Sequence, residues 1–248
     1  MKKGRQVDEI QKVDDEMCKK FVKTMFTLFN LSNVPRSGYI VAASIPLCMV
    51  PNVASHTLFV SYVSLFIAEY LRHECNFKIN IEKILTMALF HDAHESILLD
   101  LPDGPTYRSI LLGDDTNTCG MREVEKRAQD KFLSLLPNFV KQGIMMAMSR
   151  YLSRDTLEAM IVDIADRIVN LLEVIQLVRC GFKHPWLDAI WQVKVKEINT
   201  TLNKIDIKQM REFILTFVRI LESVKKNPTS YPYLQSPYLN RDSLDLSQ

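Results

Sequence analysis

The chain has 248 residues, 47% hydrophobic and 24% charged, with a formal net charge of +2 at pH 7. Such a chain can bury a large core as one big domain, and its small net charge argues against a protein whose main work is clamping nucleic acid. Its five cysteines contain no Cys-x-x-Cys pair, which argues against a disulfide framework and points to reduced thiols in the cytoplasm.

The opening MKKGRQVDEIQ is basic but meets Asp8 and Glu9 where a secretory signal needs an apolar run. Val7 to Asn30 is expected to form an amphipathic helix with Ile10, Val13, Met17, Phe21, Met25 and Leu28 on one face, broken by the segment Asn33 to Gly38. Ser37 to Ala68 has no Asp, Glu, Lys or Arg and is long enough to span a bilayer. Pro46, Pro51, Asn52, Ser55 and His56 interrupt it, so the reading is a buried loop leading into a buried helix. Ser55 is the expected cap of that helix, His56 to His73, which is apolar nearly all round.

Ile81 to Phe90 repeats apolar residues at 81, 84, 85, 88 and 89, the spacing of a buried helical face, and His91 to Glu95 is expected to carry the helix onward. The loop Leu99 to Gly104 and the weakly patterned segment with Tyr107, Arg108 and GDDTNTCG follow as the mobile part. Helices are expected over Met121 to Leu136 and over Asn138 to Tyr151, where Met145, Met146 and Met148 read as core filler. Asp155 should cap a long apolar helix, Thr156 to Cys180, which Gly181 ends. Two more helices, Trp186 to Asn203 and Ile207 to Lys226, precede a Pro/Ser/Tyr/Asn-rich strap or disordered tail. With no alternating stretch to suggest a sheet, the expected fold is all-α, one domain over residues 1–226 and a tail over 227–248.

The run His91-Asp92-Ala93-His94-Glu95-Ser96-Ile97-Leu98-Leu99-Asp100-Leu101-Pro102 concentrates the chemistry. A buried helix ending in His-Asp must pair or ligate those groups, because unpaired buried charge is costly. Adjacent helical residues diverge by about 100°, so further ligands must come from other helices. His56, opening one buried helix, and Asp163 or Asp166, within another, are the available ones. Two imidazoles and two carboxylates suit one divalent ion, although they leave open whether Co, Mn, Fe, Ni, Zn or Mg is bound. Glu95 could then orient a water or move its proton, and Asp100 could hold a leaving oxygen. His94 is expected to make a helix-exit hydrogen bond, Asp163 a salt bridge, and His73 and His184 to lie on the surface.

One His, a His-Asp pair and a distant Asp, in that order, resemble the HD superfamily of metal-dependent phosphohydrolases. The run HDAHESILLDLP is similar to the His-Asp-x-x-Glu-x5-Asp-Leu-Pro signature of its bacterial 5′-deoxynucleotidase branch, and the likeness extends to VASHTL and Ala165-Asp166-Arg167, covering about residues 40–180. It implies an HD-domain helical bundle with extra N- and C-terminal helices. By this resemblance His56, His91, Asp92 and Asp166 match metal ligands, Glu95 the catalytic carboxylate and Asp100 an acid at the substrate phosphate. The implied activity is removal of phosphate from a nucleoside 5′-monophosphate, deoxynucleotides preferred, by a homodimer with no nucleic acid or membrane partner. The family's Arg-Trp pair ahead of a Pro-Leu step is absent: Ser44-Ile45 precede Pro46-Leu47, which leaves Arg36, Arg108 and Arg167 as candidate substrate-binding residues. A dNTP triphosphohydrolase, a cyclic or signalling-nucleotide phosphodiesterase, and a non-catalytic HD-like binding module are the competing readings.

Overall fold

The computed structural model describes residues 15–101 and 118–227, and in order these form α1 (Asp15–Phe29), α2 (Ser37–Ala43), α3 (Val53–His73), α4 (Ile81–Phe90), α5 (Glu95–Leu98), α6 (Thr118–Leu135), α7 (Asn138–Ser153), α8 (Leu157–Arg179), α9 (Pro185–Leu202) and α10 (Lys208–Lys226). Two short 3-10 turns, Asn30–Asn33 and Leu47–Met49, join the early helices. The described residues contain no strand, only one isolated bridge between Pro35 and Asn52. The expected helical residues 7–14, the segment with Tyr107 and Arg108, and the tail after Asn227 lie outside the described residues.

α8 is the axis of the bundle. It is apolar nearly all round, the pattern of a helix with no solvent face, and its Ile161, Ile164, Ala165, Ile168 and Leu171 are fully buried among residues of α3, α4, α7, α9 and α10. Its polar residues are therefore buried too, Asp163, Arg167, Asn170 and Glu173 among them, and each must find a partner inside. A second apolar cluster of Ala93, Phe132, Leu136, Ile144 and Met148 seats the turn after α4 against α6 and α7.

Several helix boundaries depart from expectation for one reason: a side chain nearby makes the better cap. α3 starts at Val53, not His56, because Asn52 accepts from the Ser55 backbone N–H at 2.8 Å. Thr156, not Asp155, caps α8 by accepting from Ala159 N–H, and His184, expected on the surface, accepts from Trp186 N–H to cap α9. Gly181 does end α8, at φ +92. The helix expected to run through His91–Glu95 stops at Phe90, after which Ala93 and Glu95 N–H bond to carbonyls three residues back.

Two burial expectations are also corrected. α3 is not buried all round, since Leu58, Phe59, Tyr62 and Phe66 are exposed. Of the three methionines read as core filler only Met148 is buried. The loop expected ahead of α3 instead holds α2, and the residues just before α2 are stitched to the start of α3 by Arg36 N–H to Pro51 carbonyl (2.9 Å) and Val53 N–H to Val34 carbonyl (2.8 Å). That stitching brings Arg36 over the first turn of α3, where His56 sits.

Candidate metal centre and active site

His56 projects from the first turn of α3 and is 1% exposed. Its Nδ1 lies 3.0 Å from Glu173 Oε1 and its Nε2 3.2 Å from Asp166 Oδ1. His91, at the end of α4, gives its Nδ1–H to the Ala88 carbonyl at 2.8 Å, the only role open to that nitrogen opposite an oxygen that can only accept. Its other ring nitrogen, Nε2, lies 3.0 Å from Asp92 Oδ2 without making a hydrogen bond. One ligating atom from each of His56, His91 and Asp92 lies within 4.8 Å of the others.

This donor set fits a divalent cation. A ring nitrogen lone pair facing a carboxylate oxygen at about 3 Å is repulsive unless a proton or a cation lies between them, and that arrangement occurs twice here, at His56/Asp166 and His91/Asp92. Two imidazoles with carboxylates are the ligand types that bind such ions. Asp166 also accepts from Tyr151 Oη (3.0 Å), Arg167 Nη1 (2.5 Å) and Asn170 Nδ2 (3.1 Å), and the Tyr151 ring stands edge-on to His91 with centroids 5.3 Å apart.

The electrostatics reflect that crowding. Burial and Arg36 would lower the His56 ring, yet the adjoining Glu173 and Asp166 carry it up to about 9. Burial would raise Asp92, but His91 beside it holds the carboxyl below the usual range, and Arg167 does the same for Asp166. Glu95 behaves oppositely: burial, with Asp92 and Asp100 nearby, pushes it well above an ordinary glutamate. Carboxylates driven apart in this way mark acid/base sites.

Glu95 and Asp100 line, with Arg36, His94, Tyr151 and Asn170, a cavity of about 270 Å³ that also reaches His91, Asp92 and Asp166. Asp100 is held by Ser37 N–H at 2.5 Å and faces Arg36 Nη1 at 3.4 Å. It follows Leu99, whose φ +75 and ψ 166 fall in a region almost reserved for glycine, so local strain aims this carboxylate. Arg36 also gives Nη2–H to Asn170 Oδ1 (3.1 Å) and stands 3.9 Å from both Asp92 and Glu173.

Of the three arginines suggested for substrate, Arg36 opens onto the cavity beside Asp92 and Asp100, whereas Arg167 is spent on Asp163 (3.1 Å), Asp166 (2.5 Å) and Glu197 (3.3 Å). Arg108 lies outside the described residues. Ser44 and Ile45 do not line the cavity; Ile45 is in the core. Asp163 forms the expected salt bridges, to Arg154 (2.8 Å) and Arg167, and accepts from Thr201 Oγ1. Of His94, expected to make a helix-exit hydrogen bond, Nδ1 is buried without a partner among the described residues. His73 is on the surface, paired with Glu69.

Sequence reasoning missed Tyr39, Tyr151, Asn170 and Glu173. For the last two a signal existed: 166, 170 and 173 share one face of a helix, so polar residues at those places in an apolar run belong with Asp166.

Known proteins bear on this arrangement. The chain is 26% identical over 168 residues to a 5′-deoxynucleotidase of Pectobacterium atrosepticum, covering 67% of this chain and 78% of that protein. It is 27% identical over 172 residues to one of Vibrio vulnificus, covering 69% and 82%. In fold it is similar to an HD-domain phosphohydrolase of Listeria innocua, with TM-score 0.56 at 17% identity over 79% of this chain and 89% of that one. The profile of the 5′-deoxynucleotidase YfbR-like family matches residues 8–221, and the chain belongs to that family.

Proposed function

We propose that this protein is a metal-dependent phosphomonoesterase that removes the phosphate of a nucleoside 5′-monophosphate, deoxynucleotides preferred. The observation that carries the reading is the convergence of His56, His91 and Asp92 beside a cavity that His91 and Asp92 line together with Glu95, Asp100 and Arg36. His56, His91, Asp92 and Asp166 would hold one divalent ion. Bound there, such an ion supplies Lewis-acid polarisation of a phosphoryl oxygen and lowers the pKa of a water.

The chain's own groups do the rest. Arg36 gives a cationic fork to the phosphate in a site largely shielded from water, where charge stabilisation counts most. Glu95, buried with Oε2 lacking a hydrogen-bond partner, is free to accept or return a proton at the attacking water. Asp100, braced by Ser37, faces the leaving 5′ oxygen. The cavity, about 270 Å³, is at the small end for ligand pockets. Among the described residues the other cations at its rim, Arg154, Arg167 and Lys194, are paired with Asp163, Asp166 and Glu197. Both features support a monophosphate over a triphosphate.

In this reading residues 1–226 work as one domain, as a homodimer in the cytoplasm. No described helix is long and apolar enough to cross a membrane, and Cys18, Cys48 and Cys180 are free and exposed, which suits a reducing compartment. Exposed Phe21, Phe26 and Phe29 on α1 and Phe59 and Phe66 on α3 support an interface there.

The test is phosphate release from ribo- and deoxynucleoside mono-, di- and triphosphates, with Co, Mn or Mg added to metal-stripped protein. Metal-dependent release from monophosphates is expected. Inorganic triphosphate as product would replace the reading with a triphosphohydrolase, diphosphate with an enzyme that cleaves between the α and β phosphates, and silence across the panel with metal bound would replace it with a binding module.

A further inference from the structure

Glu173 is a buried carboxylate on an apolar helix, seven residues beyond Asp166 and so on the same face. It is not one of the three residues whose ligating atoms converge. Both of its oxygens are nevertheless engaged. Oε1 meets His56 Nδ1 at 3.0 Å, and Oε2 accepts from Tyr39 Oη at 2.9 Å with Arg36 Nε 3.9 Å away. A carboxylate can only accept, so the proton of this contact sits on His56 Nδ1 and Nε2 is left to face Asp166. A free imidazole has no such preference, and its two tautomers present different nitrogens.

We propose that Glu173 is a positioning residue for the metal ligand His56: the His56–Glu173–Tyr39 chain of contacts holds the ring in its Nδ1–H tautomer with Nε2 turned to the ion site. Tyr39 lies on α2 and Arg36 is the residue just before that helix, so the same chain ties the substrate-facing segment to the ligand. Outer partners of ligating histidines act in this way, at a cost of about 10–100-fold in metal affinity when removed.

This inference rests on the metal-site reading above, and the experiment separates the two. Zn(II) is titrated into metal-stripped full-length protein against a chromophoric chelator, and the His56 ring nitrogens of the zinc-loaded protein are read by two-bond ¹H–¹⁵N correlation. Asp92→Ala serves as the binding-deficient control. Wild type should bind zinc with His56 protonated at Nδ1. Glu173→Ala should bind about 10–100-fold more weakly. Glu173→Gln should stay within about threefold of wild type, since its amide oxygen accepts the same proton. Tyr39→Phe removes one hydroxyl from a buried ring and keeps the test alive if Glu173→Ala fails to fold; it should weaken zinc binding by about three- to tenfold.

Wild-type affinity in either Glu173→Ala or Tyr39→Phe would overturn the proposal, as would Glu173→Gln binding as weakly as Glu173→Ala. A wild type that binds no zinc would overturn the metal reading itself, and the inference with it.

Discussion

Arg167 and Arg36 are both cationic and both at the cavity, and their contacts assign them opposite duties. Replacing Arg167 by Met keeps a similar stem but leaves three carboxylates short of a partner: Asp163 at 3.1 Å, Asp166 at 2.5 Å and Glu197 at 3.3 Å. Asp163 is 1% exposed and retains only Arg154 and Thr201. Glu197 is partly open to water and keeps Lys194, so its share is small. Removing one partner from a buried ion pair costs about 3–5 kcal/mol, because the other charge stays buried. At about 2–4 °C per kcal/mol for a chain of this size, the melting temperature should fall by about 6–20 °C. Arg167→Lys, which keeps the charge but not the planar fork, should fall roughly half as far. The assay is thermal and urea unfolding of metal-stripped protein, with Michaelis kinetics on folded protein at low temperature. There KM should be unchanged, since each guanidinium nitrogen faces a carboxylate of the protein. A melting temperature within 2 °C of wild type, or a raised KM with stability intact, would refute the reasoning and return Arg167 to the substrate.

Arg36→Lys should lower kcat/KM by about 10²-fold, because the planar fork to the phosphate is lost while the charge balancing Asp92 and Asp100 stays; an unchanged value would place the phosphate elsewhere. Asp92→Ala should abolish both metal binding, read by equilibrium dialysis, and turnover, and full activity would end the metal mechanism. Glu95→Ala should keep the metal and lose about 10²–10⁴-fold in kcat, whereas loss of metal would move Glu95 among the ligands. Leu99→Gly relieves about 1–3 kcal/mol of backbone strain against about 0.5–1 kcal/mol of added chain entropy. Urea unfolding should therefore show a gain of about 1 kcal/mol, and a loss would mean that Leu99 is not strained.

The helices and the chemistry were legible in the sequence because both are local. Apolar spacing of three and four placed the helix from Ile81 to Phe90 and the long apolar helix ended by Gly181. The order of one His, a His-Asp pair and a distant Asp pointed to the ligand types proposed for the site. Helix starts were less legible, since Asn52, Thr156 and His184 each compete with neighbours of similar capping power, and a difference of a kcal/mol or less decides between them.

What only the tertiary structure decided is which of the matching residues meet, and what stands behind them. Arg36 and Arg167 are equivalent as letters, but the stitching of residues 34–36 to the start of α3 turns one toward the cavity, while α8 buries the other among Asp163, Asp166 and Glu197. Glu173 and Tyr39 carry no motif, since their role comes from contacts across 117 and 134 positions of sequence. Composition and periodicity report the forces along one helix. A buried charge is stabilised by whatever the fold brings against it, and that partner is set by the close approach of segments distant in the chain.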